Sequence, residues 1–201
     1  MKPPALTFIA GPNGAGKSTL TSGNLSIFSS FPLLDPDALA NAIQPDNKNK
    51  NPLAAGREVL ERIEDNLKNG RTFAVETTLA GKVYLQTMLR ARSLGFHVSL
   101  IYVATSDVNI HVARVAQRVE LDGHSVPESD IKRRYQRSLS NLLIAVPRTD
   151  LALLFDNSKE VFQAQRGSAY DLVAIIEDGE PRWFDPIPAW AAALRAMYGQ
   201  P

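Results

Sequence analysis

Short apolar runs that alternate with amphipathic segments predict an α/β protein whose mainly parallel sheet has helices on both faces. Two runs carry most of this prediction. The segment His97–Ala104 is almost continuously apolar, which is typical of a parallel strand that is buried on both faces. Ala5–Ala10 is a second such run, and a glycine-rich turn joins it to a helix that begins near Lys17.

The other elements follow in the order that an alternating fold requires. Asn51-Pro52 is a typical N-cap and first helical residue, and Gly70 is a typical helix stop. Asp178-Gly179 between two apolar runs predicts a hairpin. We predict further strands at 31–34, 72–76, 151–155, 172–177 and 181–184, and helices at 17–22, 52–69, 82–94, 108–121, 128–145 and 186–198.

The chain has 201 residues and a mass of 22.0 kDa, which favours a single domain over 1–201. Apolar residues make up 44% and charged residues 21%, as in ordinary globular proteins. The absence of cysteine excludes disulfides, thiolate zinc sites and cysteine nucleophiles. A net charge of +1 gives no overall attraction to nucleic acid or membranes, and no segment is apolar enough to span a bilayer. We therefore expect a cytoplasmic protein.

The strongest motif follows the first strand. Gly11-Pro12-Asn13-Gly14-Ala15-Gly16-Lys17-Ser18 matches the phosphate-binding loop (P-loop) pattern G-x-x-x-x-G-K-[ST] in full, between a strand and a helix. The backbone N–H groups of such a loop bind phosphate oxygens. We expect Lys17 to reach the β- and γ-phosphates of ATP or GTP, Ser18 to bind Mg²⁺ and Thr19 to support the α-phosphate. The sequence thus predicts a P-loop NTPase fold.

The sequence lacks the signature motifs of other classes of P-loop protein. The segment Asn157-Ser158-Lys159-Glu160 does not have the spacing of the Asn-Lys-x-Asp guanine motif of GTPases. A Leu-Ser-Gly-Gly transporter signature is absent, and the sheet leaves no room after it for the helical domain of ring ATPases. A small-molecule kinase fits better, because it needs a base for the acceptor proton and cations for the transferred phosphoryl group.

Carboxylates follow two predicted strands at the sheet edge where ligands bind. Asp37 comes just after the second strand and could take a proton from the acceptor hydroxyl. Asp35 could bind Mg²⁺ through water, although an Asp-Pro pair also suits a helix cap. Glu76 ends the third strand, where it could hold metal-bound water or a sugar hydroxyl, or cap the next helix. We expect Glu76 and Thr78 to contact the substrate.

Arginines cluster in the two charged helices after the fourth strand. These helices, over about 108–145, and the turn between them resemble a mobile lid that closes over phosphates. Arg134 lies near the edge of the predicted buried stripe of the second helix, so Arg134 and Arg118 are our candidates for phosphate contacts. A solvated charged face is the alternative for both, and it is favoured for Arg133 and Arg137.

The histidines and tryptophans are predicted to be structural. We assign no function to His97 and His111, which fit structural or exposed positions, and we expect His124 to serve the turn of the lid, with contact to phosphate as the alternative. Trp183 and Trp190 are expected to pack in the C-terminal hairpin and helix rather than to stack on bases.

Together these motifs resemble the zeta-toxin-like P-loop kinases, which include UDP-N-acetylglucosamine kinases and zeta-toxin-domain ATPases. The resemblance extends from Leu6 to about Ser158. It rests on Gly11–Leu20, Asp35–Asp37, Glu76–Gly81, Arg114–Val119, Gly123–Pro127, Ile131–Tyr135, Arg137–Ser138 and Asp156–Ser158.

The resemblance implies ATP or GTP with Mg²⁺, and a hydroxyl of UDP-N-acetylglucosamine as the acceptor. It implies a catalytic base at Asp37, a substrate-contacting glutamate at Glu76 and a phosphate-binding arginine at Arg118. Two features differ from the toxins. The arginine that follows the glutamate there is missing here, and the place of the second catalytic arginine falls near His124. Arg134 could supply that charge, but only from the next helix.

We therefore predict an ATP- and Mg²⁺-dependent phosphotransferase with an adenylate-kinase-like fold, an arginine-bearing lid and a C-terminal hairpin and helix at about 172–198. Asp37, Lys17, Arg118 and Arg134 are the predicted catalytic residues. Two alternatives stay open: an ATPase or nucleotide switch that acts on a protein partner, and a nucleic-acid end kinase, which the near-zero net charge disfavours. The expected partners are a small-molecule acceptor, such as a UDP-sugar, and an antitoxin if the protein is a toxin.

Overall fold

The computed structural model describes residues 2–23, 31–36, 39, 52–120, 125–159 and 170–199, without the side chains of residues 52, 53 and 55. Within these ranges the strands are β1 (Ala5–Ala10), β2 (Leu33–Leu34), β3 (Phe73–Thr77), β4 (His97–Ala104), β5 (Leu151–Asp156), β6 (Asp171–Glu177) and β7 (Glu180–Trp183). The helices are α1 (Lys17–Gly23), α2 (Pro52–Lys68), α3 (Val83–Ser93), α4 (Val108–Glu120), α5 (Glu128–Ala145) and α6 (Ala192–Met197), with short 3₁₀ turns at Val146–Arg148 and Ala189–Ala191.

The strands of the described part form one sheet in the order β2-β3-β1-β4-β5-β6-β7. The pairs from β2 to β5 are parallel, and the last two pairs are antiparallel. β1 is therefore central, between β3 and β4. The register pairs Ile9 with Glu76 and Ala10 with Thr77, which brings the end of β3 beside the glycine-rich turn. This arrangement confirms the predicted α/β class with a mainly parallel sheet.

Both faces of the central strand are buried. Leu6, Phe8 and Ala10 pack on one side with residues of α2, α3, α5 and α6 in the main core. Ile9 points to the opposite side, where it packs with Ala74. The alternation follows from the pleat of the strand, whose successive side chains point to opposite faces. Among the helices that are described, none has the length and apolar character needed to cross a bilayer.

Two elements are shorter than the sequence predicts. β2 contains only Leu33–Leu34 instead of 31–34, because it is an edge strand that pairs with β3 alone and Pro32 has no N–H group for a ladder. The predicted helix at 186–198 begins late, since Pro188 is extended with φ −69° and ψ 151°. A proline disfavours helical conformation in the residue before it, so only Ala192–Met197 is α-helical.

The α5 helix, which belongs to the predicted lid, is anchored to the sheet over its C-terminal half. The hydroxyl groups of Tyr102 and Ser138 are hydrogen bonded at 2.9 Å. The Asn141 amide donates to the carbonyl of Leu79 at 2.8 Å, and Leu142 is part of the main core. Lid closure stays a prediction.

Candidate nucleotide-binding and phosphotransfer site

The glycine-rich turn leaves β1 at the carboxyl edge of the sheet and leads into α1. The Gly11 N–H donates to the carbonyl of Thr77 at 3.2 Å, which fixes the turn beside the end of β3. Gly16 has a φ of +100°, and a Cβ atom there would collide with the amide group of Asn157. Glycine is therefore required both by the backbone conformation and by the close approach of another side chain.

Side chains from three other elements hold the carbonyl groups of this loop. Each contact is 2.8 Å long, and the pairs are His111 Nδ1 of α4 with the Asn13 carbonyl, the Asn157 amide after β5 with the Ala15 carbonyl, and the Tyr170 hydroxyl before β6 with the Gly16 carbonyl. These contacts fix the orientation of three loop carbonyls, as is needed in a loop that turns backbone N–H groups toward a bound phosphate. The loop is thus supported from outside in the conformation that its motif predicts.

His111 is fully buried and neutral near pH 7. Burial, together with the nearby charges of Arg114 and Lys17, lowers the pKa of His111 to about 4, although the Asn13 carbonyl and Asp107 oppose the shift. A carbonyl oxygen only accepts, so the ring proton lies on Nδ1. Nε2 is buried and has no hydrogen-bond partner among the described residues. The imidazole therefore acts as a neutral donor to the loop.

A buried ion pair occupies the centre of the site. The Lys17 ammonium lies 3.8 Å from Glu76 Oε1 and donates to the Pro12 carbonyl at 3.3 Å. The Ser18 hydroxyl donates to the same carboxylate at 3.2 Å. Lys17 is 8% exposed and Glu76 is 8% exposed, so each charge depends on the other for stabilisation. The phosphates of a nucleotide on the loop would compete with Glu76 for Lys17.

The Ser18 hydroxyl and the Glu76 carboxylate are oxygen donors of the kind that Mg²⁺ prefers. Ser18 Oγ and Glu76 Oε1 are 3.2 Å apart, so one ion can be reached by both. Magnesium usually takes one or two protein ligands and completes its shell with water and substrate phosphates. The described part of the chain has no group of three or more acidic or histidine side chains suited to a metal. These residues therefore fit an ion that is shared with a bound nucleotide.

A cavity of about 200 Å³ opens beside this cluster, on the β2 and β3 side of the loop. It is lined by Asn13, Lys17, Asp35, Pro36, Glu76, Thr77, Thr78, Tyr84 and Arg134. The other side of the loop is occupied by Asn157 and Tyr170, next to β5 and β6. The open space beside the loop therefore lies on the β2 and β3 side.

Arg134, among the lid arginines that the structure describes, lines this cavity. Its NH1 group donates to the side-chain oxygen of Asn13 at 3.4 Å. The adjacent Arg133 instead pairs with Asp130 at 2.8 Å on the exposed side of α5. Arg118 is exposed in the last turn of α4 and is not part of the cavity wall. The phosphate contacts expected of Arg118 and Arg134 stay predictions, and the structure brings Arg134 to the place where one could form.

The residues predicted for the site and those that the structure places there are not all the same. Asp37, the predicted base, and His124 lie outside the described residues. Sequence analysis assigned no role to His111, Asn157 and Tyr170, whose side chains support the loop. The position of Asn157 directly after a parallel strand is a signal that could have been used. The contacts of His111 and Tyr170 join residues that are 98 and 154 positions apart, so no local pattern indicates them.

The fold and the site together define a class of protein. A P-loop after the central strand of a parallel sheet, a lysine and a hydroxyl at the start of α1, and a carboxylate on the adjacent strand are the parts of a P-loop nucleotide-binding protein with a kinase-like fold. The phosphate-binding geometry, rather than any single residue, supports this classification.

The chain belongs to the AAA domain family, whose family model matches residues 6–140. A protein of Haemophilus influenzae (strain ATCC 51907 / DSM 11121 / KW20 / Rd), described as uncharacterized, is 36% identical over 128 residues, which are 64% of this chain and 90% of that protein. After β5, the described residues 170–199 form a hairpin and a short helix rather than the helical domain of ring ATPases.

Solved structures of other proteins share the fold. The crystal structure of AvrRxo1-ORF1:AvrRxo1-ORF2 with sulphate ions has a TM-score of 0.69 at 15% identity over 92% of this chain, which spans 62% of that chain. The complex with ATP has a TM-score of 0.58 at 15% identity, over 90% of this chain and 60% of that chain. The PezAT chromosomal toxin-antitoxin system of Streptococcus pneumoniae has a TM-score of 0.59 at 17% identity, over 84% of this chain and 75% of that chain. At these identities, the similarity shows the P-loop kinase-like fold alone.

Proposed function

We propose that the protein is an ATP- and Mg²⁺-dependent phosphotransferase that moves the γ-phosphate to a hydroxyl group of a small molecule. The observation that carries this proposal is the cluster of Lys17, Ser18 and Glu76 beside a cavity that Arg134 also lines. A phosphate-binding loop alone would suit an ATPase equally well. A cavity with carboxylate, hydroxyl and arginine groups next to the loop also accommodates a second substrate.

The proposed reaction is an in-line displacement at the γ-phosphorus. The acceptor oxygen forms a bond to that phosphorus, the bond from the phosphorus to the bridging β–γ oxygen breaks, and ADP leaves. Asp37 takes the acceptor proton, a role that rests on the sequence alone. Lys17 and Arg134 offset the charge of the transferred group, and Arg118 would add to them from the lid. Mg²⁺ held by Ser18 and Glu76 would neutralise phosphate charge when bound.

The similarity in fold to the PezAT toxin-antitoxin system supports a second element of the proposal, a protein partner of the antitoxin kind. The family resemblance suggests UDP-N-acetylglucosamine as one acceptor to be tested. Co-purification of the full chain with the product of an adjacent gene is the measurement for the partner. A partner that binds would be expected to slow phosphotransfer, and the kinase proposal does not depend on its existence.

The function is tested by following the label of γ-labelled ATP with Mg²⁺ and a panel of free sugars, UDP-sugars, nucleosides and oligonucleotide ends. We expect label on a small molecule, lost in Asp37→Asn while ATP binding persists. Asp130→Asn on the exposed side of α5 is the matched control and should transfer label as the wild type does. Label that appears only as free phosphate would contradict the proposal and favour an ATPase or switch, and label on oligonucleotide ends would favour an end kinase.

A further inference from the structure

We propose that the acceptor is a polyhydroxylated small molecule without phosphate, of the sugar or amino-sugar class, rather than a UDP-sugar or another phosphorylated compound. This inference rests on the proposed phosphotransferase function and narrows the substrate class of the same cavity. It is drawn from the charge around the cavity, which differs between the wall formed by the P-loop and the wall formed by β2, β3 and the segments that follow them.

Among the described residues that line the cavity, the two cations, Lys17 and Arg134, are held against the P-loop. The Lys17 ammonium lies 3.3 Å from the Pro12 carbonyl, and the Arg134 guanidinium lies 3.4 Å from the Asn13 side-chain oxygen. Each is therefore held against the loop that binds the phosphates of the nucleotide. The charge of a bound triphosphate would engage these two groups and leave neither for a phosphate on the acceptor.

On the other side of the cavity, the described lining residues are Asp35, Pro36, Thr77, Thr78 and Tyr84, which we call the far wall and none of which is a cation. It combines one carboxylate residue with three hydroxyl residues. Burial raises the pKa of Tyr84, although a hydrogen bond to Thr77 opposes the shift, so the phenol keeps its proton at neutral pH. Carboxylates and hydroxyls are hydrogen-bond partners for sugar hydroxyl and amino groups, whereas a carboxylate repels phosphate.

The threonine hydroxyls of the far wall are preorganised. The oxygen of Thr77 accepts the Leu79 N–H at 3.0 Å, and that of Thr78 accepts the Ala80 N–H at 3.4 Å. These bonds occupy acceptor positions, so the Thr78 hydroxyl keeps its proton to donate, while the Thr77 hydroxyl is also hydrogen bonded to Tyr84. Leu79 has a φ of +57°, and the bond from Asn141 to its carbonyl holds this uncommon conformation. The segment is thus fixed before an acceptor arrives.

The region of sequence next to Glu76 supports the same conclusion. Glu76-Thr77-Thr78-Leu79-Ala80-Gly81 contains neither arginine nor lysine, so this part of the cavity wall adds no cation to Lys17 and Arg134. A phosphorylated acceptor would need a cation here to offset its charge once the P-loop cations are engaged. An uncharged or amino-bearing polyol has no such requirement.

The test uses the full chain, γ-labelled ATP, Mg²⁺ and matched acceptor pairs. The pairs are glucose, glucosamine and N-acetylglucosamine, each against its sugar phosphate, and N-acetylglucosamine against UDP-N-acetylglucosamine. We expect kcat/KM to be roughly tenfold or more higher for the unphosphorylated member of an accepted pair. The phosphate of the other member would face the carboxylate of the far wall, and like charges repel. Preference for the phosphorylated member would overturn the inference and leave the kinase function intact. If no pair accepts label while a nucleoside does, the inference falls and the kinase function stands. If label appears only as free phosphate with every acceptor, both fall.

A variant tests the charge argument itself. Thr78→Arg adds a cation to the far wall and is expected to shift the kcat/KM ratio of each accepted pair roughly tenfold toward the phosphorylated member. Ser140→Arg, on the exposed side of α5, is the control and should leave the ratio unchanged. An unchanged ratio in a folded Thr78→Arg variant would overturn the inference. The wild-type ratio tests it even if that variant fails to fold.

Discussion

The two sides of the P-loop are built from different interactions. On the side of β5 and β6, neutral donors from Asn157 and Tyr170 hold loop carbonyls at 2.8 Å, as His111 of α4 also does. On the side of β2 and β3, the loop faces the ion pair of Lys17 and Glu76. Neutral hydrogen bonds fix the shape of the loop before a ligand arrives, whereas the charges can be rearranged by one. We infer that the first side sets binding geometry and that the second side performs the chemistry.

The largest expected effect is on the charged side. Lys17→Ala removes the ammonium from the loop and leaves the Glu76 charge without its ion-pair partner. We expect phosphotransfer to fall about 100- to 1,000-fold, the usual cost of losing one group that stabilises the transition state. The measurement is kcat/KM for label transfer from ATP. Lys132→Ala, whose ion pair with Glu128 is 2.6 Å long on the exposed side of α5, should remain close to wild type.

The next effect concerns the metal. Glu76→Gln keeps the size of the side chain and removes its charge, so Ser18 loses the carboxylate that completes the proposed Mg²⁺ site. We expect the Mg²⁺ concentration for half-maximal rate to rise roughly 10- to 100-fold. Titration of the transfer rate with Mg²⁺ measures this. An unchanged Mg²⁺ requirement, with Glu58→Gln on the exposed side of α2 as the reference, would remove Glu76 from the metal site.

Two buried asparagines allow the two sides of the P-loop to be tested separately. The Asn157 amide holds the Ala15 carbonyl of the loop at 2.8 Å, and the Asn141 amide holds the Leu79 carbonyl beside the far wall at 2.8 Å. Loss of either bond costs about 1–2 kcal/mol, so we expect about a tenfold change in one Michaelis constant. Asn157→Ala should raise the KM for ATP and Asn141→Ala the KM for the acceptor. Equal changes in both constants for both variants would show that the sides are not separate.

The last effect is on stability rather than on phosphotransfer. The folded-state pKa of His111, about 4, is below the 6.5 of the unfolded chain, so the unfolded state takes up the proton first as pH falls. Stability is therefore lost as pH falls from 6.5 toward 4, by up to about 3 kcal/mol. The imidazole faces Lys17, Arg114 and Asp107 and packs on the Tyr135 ring, and these groups remain in His111→Phe.

Urea unfolding at neutral pH and near pH 4.5 measures this effect. His111→Phe should reduce the difference in unfolding free energy between the two pH values by about 2 kcal/mol, after the loss of its bond to Asn13 has lowered stability at both. A wild-type pH dependence in His111→Phe would show that another group titrates in this range.

Contiguous patterns explain which parts of the molecule could be predicted from sequence. The P-loop is one segment, and the hairpin turn needs only Asp178 and Gly179, whose φ angles of 50° and 85° suit a type I′ turn. Alternation of apolar runs was sufficient for the sheet. The arrangement of the far wall was harder to predict, because Asn141 supports Leu79 from 62 positions away. Such contacts depend on how α5 packs on the sheet, which local propensity does not determine.

The separation of the two sides is tested most directly by hydrogen exchange of the full chain with a non-hydrolysable ATP analogue and Mg²⁺. We predict slower exchange of the backbone amides in Gly11–Thr19, no such slowing in Lys17→Ala, and slower exchange at 78–81 only after an acceptor is added. Protection at 78–81 by the analogue alone, with Gly11–Thr19 unchanged, would contradict the assignment of the nucleotide to the loop and of the acceptor to the far wall.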